Sequence, residues 1–335
     1  MGALEAIGFY TLSDKRAYDA SSTSQMKRGE IIINEYCNFK CPYCRGLSPA
    51  VFGNRRIRHS TYREVTQAID YWCSGDAGPI ENIRFSGGEP TLHPNIIEIA
   101  WYAKTKGIKR IAISSNGSSE PVLYRALVAA GVNDFSISLD ACCATVGDRM
   151  AGNVPGSFDR VVENIKMLSE LTYVTVGVVM TPDNIDGLIQ TIIFADSLGV
   201  SDIRIISAAQ WDQPLPGLAA VPADILKRHP ILAYRVDHFM RGINVRGIGP
   251  SDARRCGLVL DDSVIAGLDH YPCVIYMREG GQPIGKVGPE MRQERLNWFK
   301  SHNCHNDPIC SKNCLDVCVD YNNMFRYYHY KPWEN

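Results

Sequence analysis

Between residues 30 and 210, short runs of β-branched and other apolar residues recur at Ile31–Asn34, Asn82–Ser86, Arg110–Ser114, Asp134–Leu139, Val174–Met180 and Asp202–Ile206. Each has the length and composition of a buried strand and is too short for a helix. The segments between them place apolar residues at helical spacing behind recognisable starts. Tyr62–Trp72 follows Ser60-Thr61, Ile96–Lys106 follows Pro94, Val122–Ala130 follows Pro121, Phe158–Glu170 follows Gly156-Ser157, and Ile185–Leu198 follows Asp183-Asn184. Alternation of this kind predicts a parallel sheet with helical crossovers, open or curled into part of a barrel. In such sheets the chemistry gathers on the loops that leave the carboxyl ends of the strands.

Those loops carry chemistry-bearing residues. The first strand runs into Cys37-Asn38-Phe39-Lys40-Cys41-Pro42-Tyr43-Cys44, three thiols at CxxxCxxC spacing. Zinc would normally take a fourth protein ligand to close its tetrahedron, whereas an iron–sulfur cluster held by three thiolates keeps one iron open. After the second strand comes Ser86-Gly87-Gly88-Glu89-Pro90, with two glycines to let a ligand approach the backbone and a carboxylate to accept from an ammonium group. The third gives Ser114-Ser115-Asn116-Gly117, and the fourth gives Ser138-Leu139-Asp140 followed by Asp148-Arg149. Taken singly, each of these later motifs reads as a plain turn.

The chain has 335 residues, 45% of them hydrophobic, and a formal net charge of -1. A large core is therefore available, and no charge excess points to nucleic acid or to a membrane surface. No run of about 18 apolar residues is present, and the start lacks the basic head and apolar stretch of a secretion signal. The expectation is a soluble cytoplasmic protein. Twelve cysteines fall in groups: three at 37–44, six between Cys256 and Cys318, and Cys73, Cys142 and Cys143 apart from both. In a reducing compartment such grouping argues for metal binding over disulfides.

The triad, Gly87-Gly88-Glu89-Pro90 and the order of strands together resemble the radical SAM superfamily from about residue 30 to 210. The resemblance implies a partial (β/α)6 TIM-like barrel. In it Cys37, Cys41 and Cys44 hold a [4Fe-4S] cluster whose open iron chelates S-adenosylmethionine (SAM). Gly87, Gly88 and Glu89 would receive the methionine ammonium, with Tyr43 near the adenine. Ser115, Asn116 and Ser138 would approach the sugar or methionine moiety, and Arg149 would pair the carboxylate. A flavodoxin- or ferredoxin-type donor is implied as reductant. The reaction implied is hydrogen abstraction by a 5′-deoxyadenosyl radical, chemistry that side-chain acids and bases do not supply.

Asp148–Gly152 and Gly156–Ile165 resemble the branch with a cysteine-rich C-terminal SPASM or twitch extension. That branch usually has Gly where this chain has Ala141, and Cys142-Cys143 follow. These two thiols read either as packed residues starting a helix or as hydrogen donors to a substrate radical, which would make the enzyme an epimerase. Beyond Trp211, Pro214, Pro216, Gly217 and Pro222 break the pattern. The expected division is a 1–29 extension, a 30–210 barrel, a 211–250 connector and a 251–335 auxiliary domain. In the last, Cys256 and Cys273 flank a hairpin near Ile265-Ala266-Gly267, and Cys304, Cys310, Cys314 and Cys318 follow. One auxiliary [4Fe-4S] cluster is expected on Cys256, Cys273, Cys310 and Cys314, with Cys304 and Cys318 as alternates. A structural zinc site is the competing reading, while His302 and His305 read as surface residues. Only about thirty residues precede the first strand, which favours a small natural product (a sugar, nucleoside or aminoglycoside, oxidised or decarboxylated) over a peptide. The non-enzyme alternative is a zinc-stabilised α/β binding protein.

Overall fold

The computed structural model describes residues 14–47, 59–74 and 79–330. The first thirteen residues of the expected extension and the last five of the chain lie outside the described residues. Contacts group the chain into two compact units.

The first unit comprises Ile32–Tyr62 and Arg84–Ile243. Its sheet draws on β1 (Arg28–Asn34), β2 (Asn82–Gly87), β3 (Arg110–Ser115), β4 (Asp134–Ser138), β5 (Tyr173–Met180) and β6 (Asp202–Ser207). They lie side by side in chain order, and β3 through β6 pair in parallel. All six stand within two or three residues of the ends predicted from the apolar runs. Register aligns Ile113 with Phe135 and Phe135 with Val174, a row of residues with no exposure, as a sheet covered on both faces requires. Helices Ile96–Thr105, Pro121–Ala130, Ser157–Ser169 and Leu188–Ser197 fall between the strands. In Ser157–Ser169 the spacing of Phe158, Val161, Ile165 and Leu168 makes one buried face. Ala144–Met150 is a further helix, with Cys143 at its N-cap.

The expected 211–250 connector is largely helical, and the boundary falls after Ile243 rather than at residue 250. Its proline-rich part forms one short turn, Pro216–Ala220, followed by helices Ala223–Arg228 and Pro230–Met240. The second of these is tied to the sheet, because the Ile231 amide donates to both carboxylate oxygens of Asp202, at 3.2 and 3.0 Å. A carboxylate at the first turn satisfies an orphan N–H and suits the helix dipole.

The second unit contains the described residues up to Ile31, Arg63–Ile83 and the chain from Asn244. The expected domain limits therefore change, since helices Asp14–Asp19 and Tyr62–Cys73 group with the C-terminal part. The reasons are local: Arg16 pairs with Asp261 at 2.6 Å, and the Trp72 ring fills the space a Cβ on Gly29 would take. The expected hairpin is present as β7 (Asp262–Ala266) and β8 (Asp269–Tyr271), with β9 (Gly285–Lys286) antiparallel to β8. Leu258, Val259, Leu260, Phe299, Tyr321 and Phe325 form its core. Arg295, 1% exposed, donates to the carbonyls of Val259 and Tyr271 at 2.8 Å each and also to those of Asp262 and Pro272. Burial pulls its guanidinium down to about 10. Among the described residues no helix is long and apolar enough to cross a membrane.

Asp202 generates a pH prediction. Burial pushes its carboxyl from 3.8 up to about 6, against the amides of Ile231 and Ile203, so ionising it in place costs about 3 kcal/mol. A raised carboxyl favours the fold below its unfolded value, and that contribution is lost as pH rises through about 6. Urea unfolding from pH 4 to pH 7 should therefore show Asp202→Asn losing less stability than the wild type across this window. Parallel curves would contradict the assignment.

Candidate functional site

The loop after β1 is shaped by backbone contacts. The Cys44 amide donates to Cys41 O at 2.9 Å, closing the turn, and the Lys40 amide donates to Ala151 O at 2.9 Å. Cys37 Sγ accepts from the Phe39 amide at 3.4 Å and from Asn116 Nδ2 at 3.8 Å. The three thiols lie within electrostatic reach of one another: burial raises Cys37 and raises Cys41 to about 12, and their neighbours' charge adds to it. Thiols held this high lose their protons only to a strong positive centre, so metal binding here releases protons and couples to folding. An all-sulfur donor set with N–H groups aimed at sulfur suits iron–sulfur ligation.

The turn after β2 lies against this loop, backbone to backbone. The Gly88 amide donates to Asn34 O at 2.8 Å, the Glu89 amide to Tyr36 O at 2.7 Å, and Asn34 Nδ2 returns to Glu89 O at 2.9 Å. A Cβ on Gly87 would sit 2.1 Å from Asn34 O, and one on Gly88 would sit 2.1 Å from Tyr36 O. Gly87 also holds φ at 138°, where a side chain is strained. The space these glycines leave is thus filled by the cysteine loop itself, a use the sequence reading assigned to a ligand.

Glu89 is fully buried, and its carboxylate accepts four hydrogen bonds. Oε1 takes the Thr91 amide at 3.0 Å, Thr91 Oγ1 at 2.6 Å and Ser115 Oγ at 2.8 Å, while Oε2 takes the Asn116 amide at 2.6 Å. Burial raises its pKa, and these donors oppose the rise. Enclosed in this way, the carboxylate ties the β2 and β3 loops together. Ser115 is enclosed too, bonded to Tyr124 as well as Glu89. Asn116 instead turns its side chain to Cys37 and to Asn38 Oδ1, at 2.9 Å.

Tyr43 donates its hydroxyl to Asp140 Oδ2, whose Oδ1 accepts the Val179 amide at 2.7 Å. Burial pushes Asp140 up to about 6, with the tyrosine hydroxyl and the amide pulling the other way. The sequence quoted Asp140 within Ser-Leu-Asp but gave it no role; nothing in local spacing marks a partner 97 residues away. A small cleft of about 50 Å³ opens beside these groups, lined by Phe39, Cys41, Asn116, Ser138 and Asp140. Arg149 is exposed and donates to Asp183 O at 2.8 Å. Neither Arg149 nor Cys142 nor Cys143 is among the residues lining this cleft, and Cys143 is exposed.

The six C-terminal cysteines also gather. The Cys256, Cys304 and Cys310 thiols lie within electrostatic reach of one another, as do those of Cys314 and Cys318. Cys256 Sγ accepts from Asn322 Nδ2 at 3.6 Å and Cys273 Sγ from the Tyr276 amide at 3.4 Å. Cys304, expected only as an alternate, is buried between two of the others.

Residues 31–195 match the family model of the Radical SAM superfamily. Among curated proteins, the chain is 31% identical over 165 residues to an AdoMet-dependent heme synthase of Methanosarcina barkeri, 49% of this chain and 45% of that one. It is 33% identical over 112 residues to a GTP 3′,8-cyclase of Actinobacillus pleuropneumoniae, 32% of this chain and 31% of that one. The chain thus spans less than half the length of these relatives. The fold is similar to native anSMEcpe with bound AdoMet (TM-score 0.57, 14% identity, 90% of this chain and 96% of that one). It is also similar to Streptococcus suis SuiB bound to S-adenosylmethionine (TM-score 0.56, 14% identity, 86% and 65%).

The close approach of the two loops predicts that Gly88→Ala, whose Cβ would meet Tyr36 O, displaces the cysteine loop. After anaerobic iron and sulfide loading, the variant should retain at least about tenfold less cluster under chelator challenge than the wild type, a shift of about 1.4 kcal/mol. Equal retention would show that the glycine is not needed for the loop's position.

Proposed function

Because the chain belongs to the radical SAM superfamily, whose members are enzymes, we propose that it uses SAM-derived radical chemistry to take hydrogen from a carbon of a small-molecule substrate. The observation that carries this reading is one short loop bringing Cys37, Cys41 and Cys44 together, with Cys41 lining the same cleft as Asn116 and Ser138. When bound, a [4Fe-4S] cluster, SAM and a flavodoxin- or ferredoxin-type reductant supply one electron to the sulfonium and, through it, a 5′-deoxyadenosyl radical.

The chain's own residues hold and orient these groups. Cys37, Cys41 and Cys44 would carry the cluster, and the N–H donors of Phe39 and Asn116 on Cys37 Sγ stabilise thiolate charge. Ser138 and Asn116, which line the cleft, would approach the sugar or methionine end of SAM, and Gly87 and Gly88 would serve it by admitting the backbone of the cysteine loop. Glu89 and Ser115 act behind them as positioning residues, and Asp140 fixes Tyr43 in the same way. Arg149 as partner of the SAM carboxylate requires its side chain to leave Asp183 O.

Support for a small substrate comes from the names of the curated relatives, a GTP cyclase and a heme synthase. A sugar, nucleoside or aminoglycoside that is oxidised or decarboxylated is the narrower form of the proposal. A peptide is the competing outcome, since SuiB has also been solved with its precursor peptide SuiA. Epimerisation through Cys142 or Cys143 is less favoured, because neither thiol lines the cleft. The C-terminal cysteines would hold a second metal centre, an auxiliary iron–sulfur cluster in this reading. Twelve free thiols suit a reducing compartment such as the cytoplasm.

The test uses protein purified and loaded with iron and sulfide without air. With dithionite or a flavodoxin-type donor it should turn SAM into 5′-deoxyadenosine and methionine. Cys37→Ala, Cys41→Ala and Cys44→Ala should each abolish product and lower iron by about four atoms per chain. A wild type that binds zinc in this loop, or that carries the cluster yet leaves SAM intact, would overturn the proposal.

A further inference from the structure

The helix Met291–Ser301 ends on His302, whose backbone amide donates to Trp298 O at 2.8 Å. The imidazole stacks on the Trp298 ring, with centroids 3.9 Å apart and planes inclined by 16°, and meets Tyr276 edge-on at 6.2 Å. Two aromatic rings thus fix the direction of the imidazole. Its Nε2 lies 3.7 Å from Cys310 Sγ, within reach of a nitrogen–sulfur hydrogen bond, and 3.7 Å from Asp307 Oδ2, beyond an ordinary nitrogen–oxygen one. The ligand atoms of His302, Cys304 and Cys310 all lie within 4.8 Å of one another.

We propose that His302 is a metal ligand, sharing a coordination sphere with Cys304 and Cys310. Nitrogen and sulfur bound to one tetrahedral metal, at about 2.0 and 2.3 Å, stand roughly 3.5 Å apart, close to the separation found here. The surrounding structure serves the same arrangement. Asp307 caps the helix Pro308–Asn313 by accepting the amides of Ile309 at 2.9 Å and Cys310 at 2.8 Å, and Tyr276 donates its hydroxyl to the same carboxylate at 3.1 Å. Asp307 therefore fixes Cys310 directly, while Tyr276, which also flanks the imidazole, fixes Asp307. Cys304, 4% exposed, is held by its amide donating to Arg254 O at 2.8 Å. The metal is a single ion that accepts mixed imidazole and thiolate donors, as zinc does; each iron of a [4Fe-4S] cluster takes one protein ligand, so a shared sphere belongs to a mononuclear centre. This inference rests on the second metal centre proposed above but not on SAM cleavage.

The full-length protein, loaded anaerobically with zinc as well as iron and sulfide, tests it. Absorption at the zinc edge should show nitrogen beside sulfur. In His302→Cys the zinc should remain while the nitrogen signal disappears. In His302→Ala the zinc should be lost at least about tenfold more readily to a chelator. A wild type that binds no zinc, or binds it through sulfur alone, would overturn the inference. SAM left intact by a protein that keeps the histidine signal would count against the proposed function and not against this ligand.

Discussion

The turn after β2 touches the cysteine loop through backbone alone: Gly88 donates to Asn34, Glu89 to Tyr36, and the missing Cβ atoms leave room for both carbonyls. Every other feature of the site depends on that approach. It fixes the start of the loop that carries Cys37, and it places Glu89 beneath the β3 loop. A side chain at either glycine would have to displace backbone, the least compliant neighbour a residue can have. The constraint is one of volume, which is why a pair of glycines and not a polar pair occupies the turn.

Once Glu89 is buried there, its charge must be answered. Desolvation raises its pKa, and donors from Thr91, Ser115 and Asn116 lower it again, so the carboxylate is tolerated only because three residues on two loops point at it. That satisfaction has a structural consequence: the Asn116 backbone is held by Glu89 while its side chain reaches Cys37. The Tyr43–Asp140 contact does similar work on the other side of the loop, joining the third cysteine's neighbour to the ends of β4 and β5. Sulfur positions are thereby held by hydrogen bonds to the loop, the support that metal ligands need.

The sheet was legible because its strands are buried on both faces, so Ile111–Ile113 and Val174–Met180 stand out as apolar runs. Loop motifs were legible as positions but not as roles. Gly87, Gly88 and Glu89 read as ligand contacts because spacing shows what is exposed to a rim, not which neighbouring backbone fills the gap. Asp140 and Asp202 escaped notice for a related reason: their partners, Tyr43 and Ile231, are distant in sequence, and a lone carboxylate after an apolar run looks like a turn. The grouping of Tyr62–Cys73 with Gly29 was not legible for the same reason, since the Trp72 ring packs on Gly29 from a distant stretch of chain. His302 read as a surface residue because composition cannot show two aromatic rings closing on an imidazole.

The two cysteine groups differ in a way that chemistry explains. In the loop after β1, Cys44 is exposed and Cys41 lines a small cleft. In the C-terminal unit Cys256 accepts from Asn322, Cys273 accepts from the Tyr276 amide, and Cys304 is buried. In the proposed reading the first group admits a reactant, since an open coordination position needs accessible sulfur, while the second stabilises a fold or stores an electron. The same residue type is thus placed by backbone geometry in one unit and by side-chain packing in the other. The division follows from which neighbours occupy the remaining directions around sulfur.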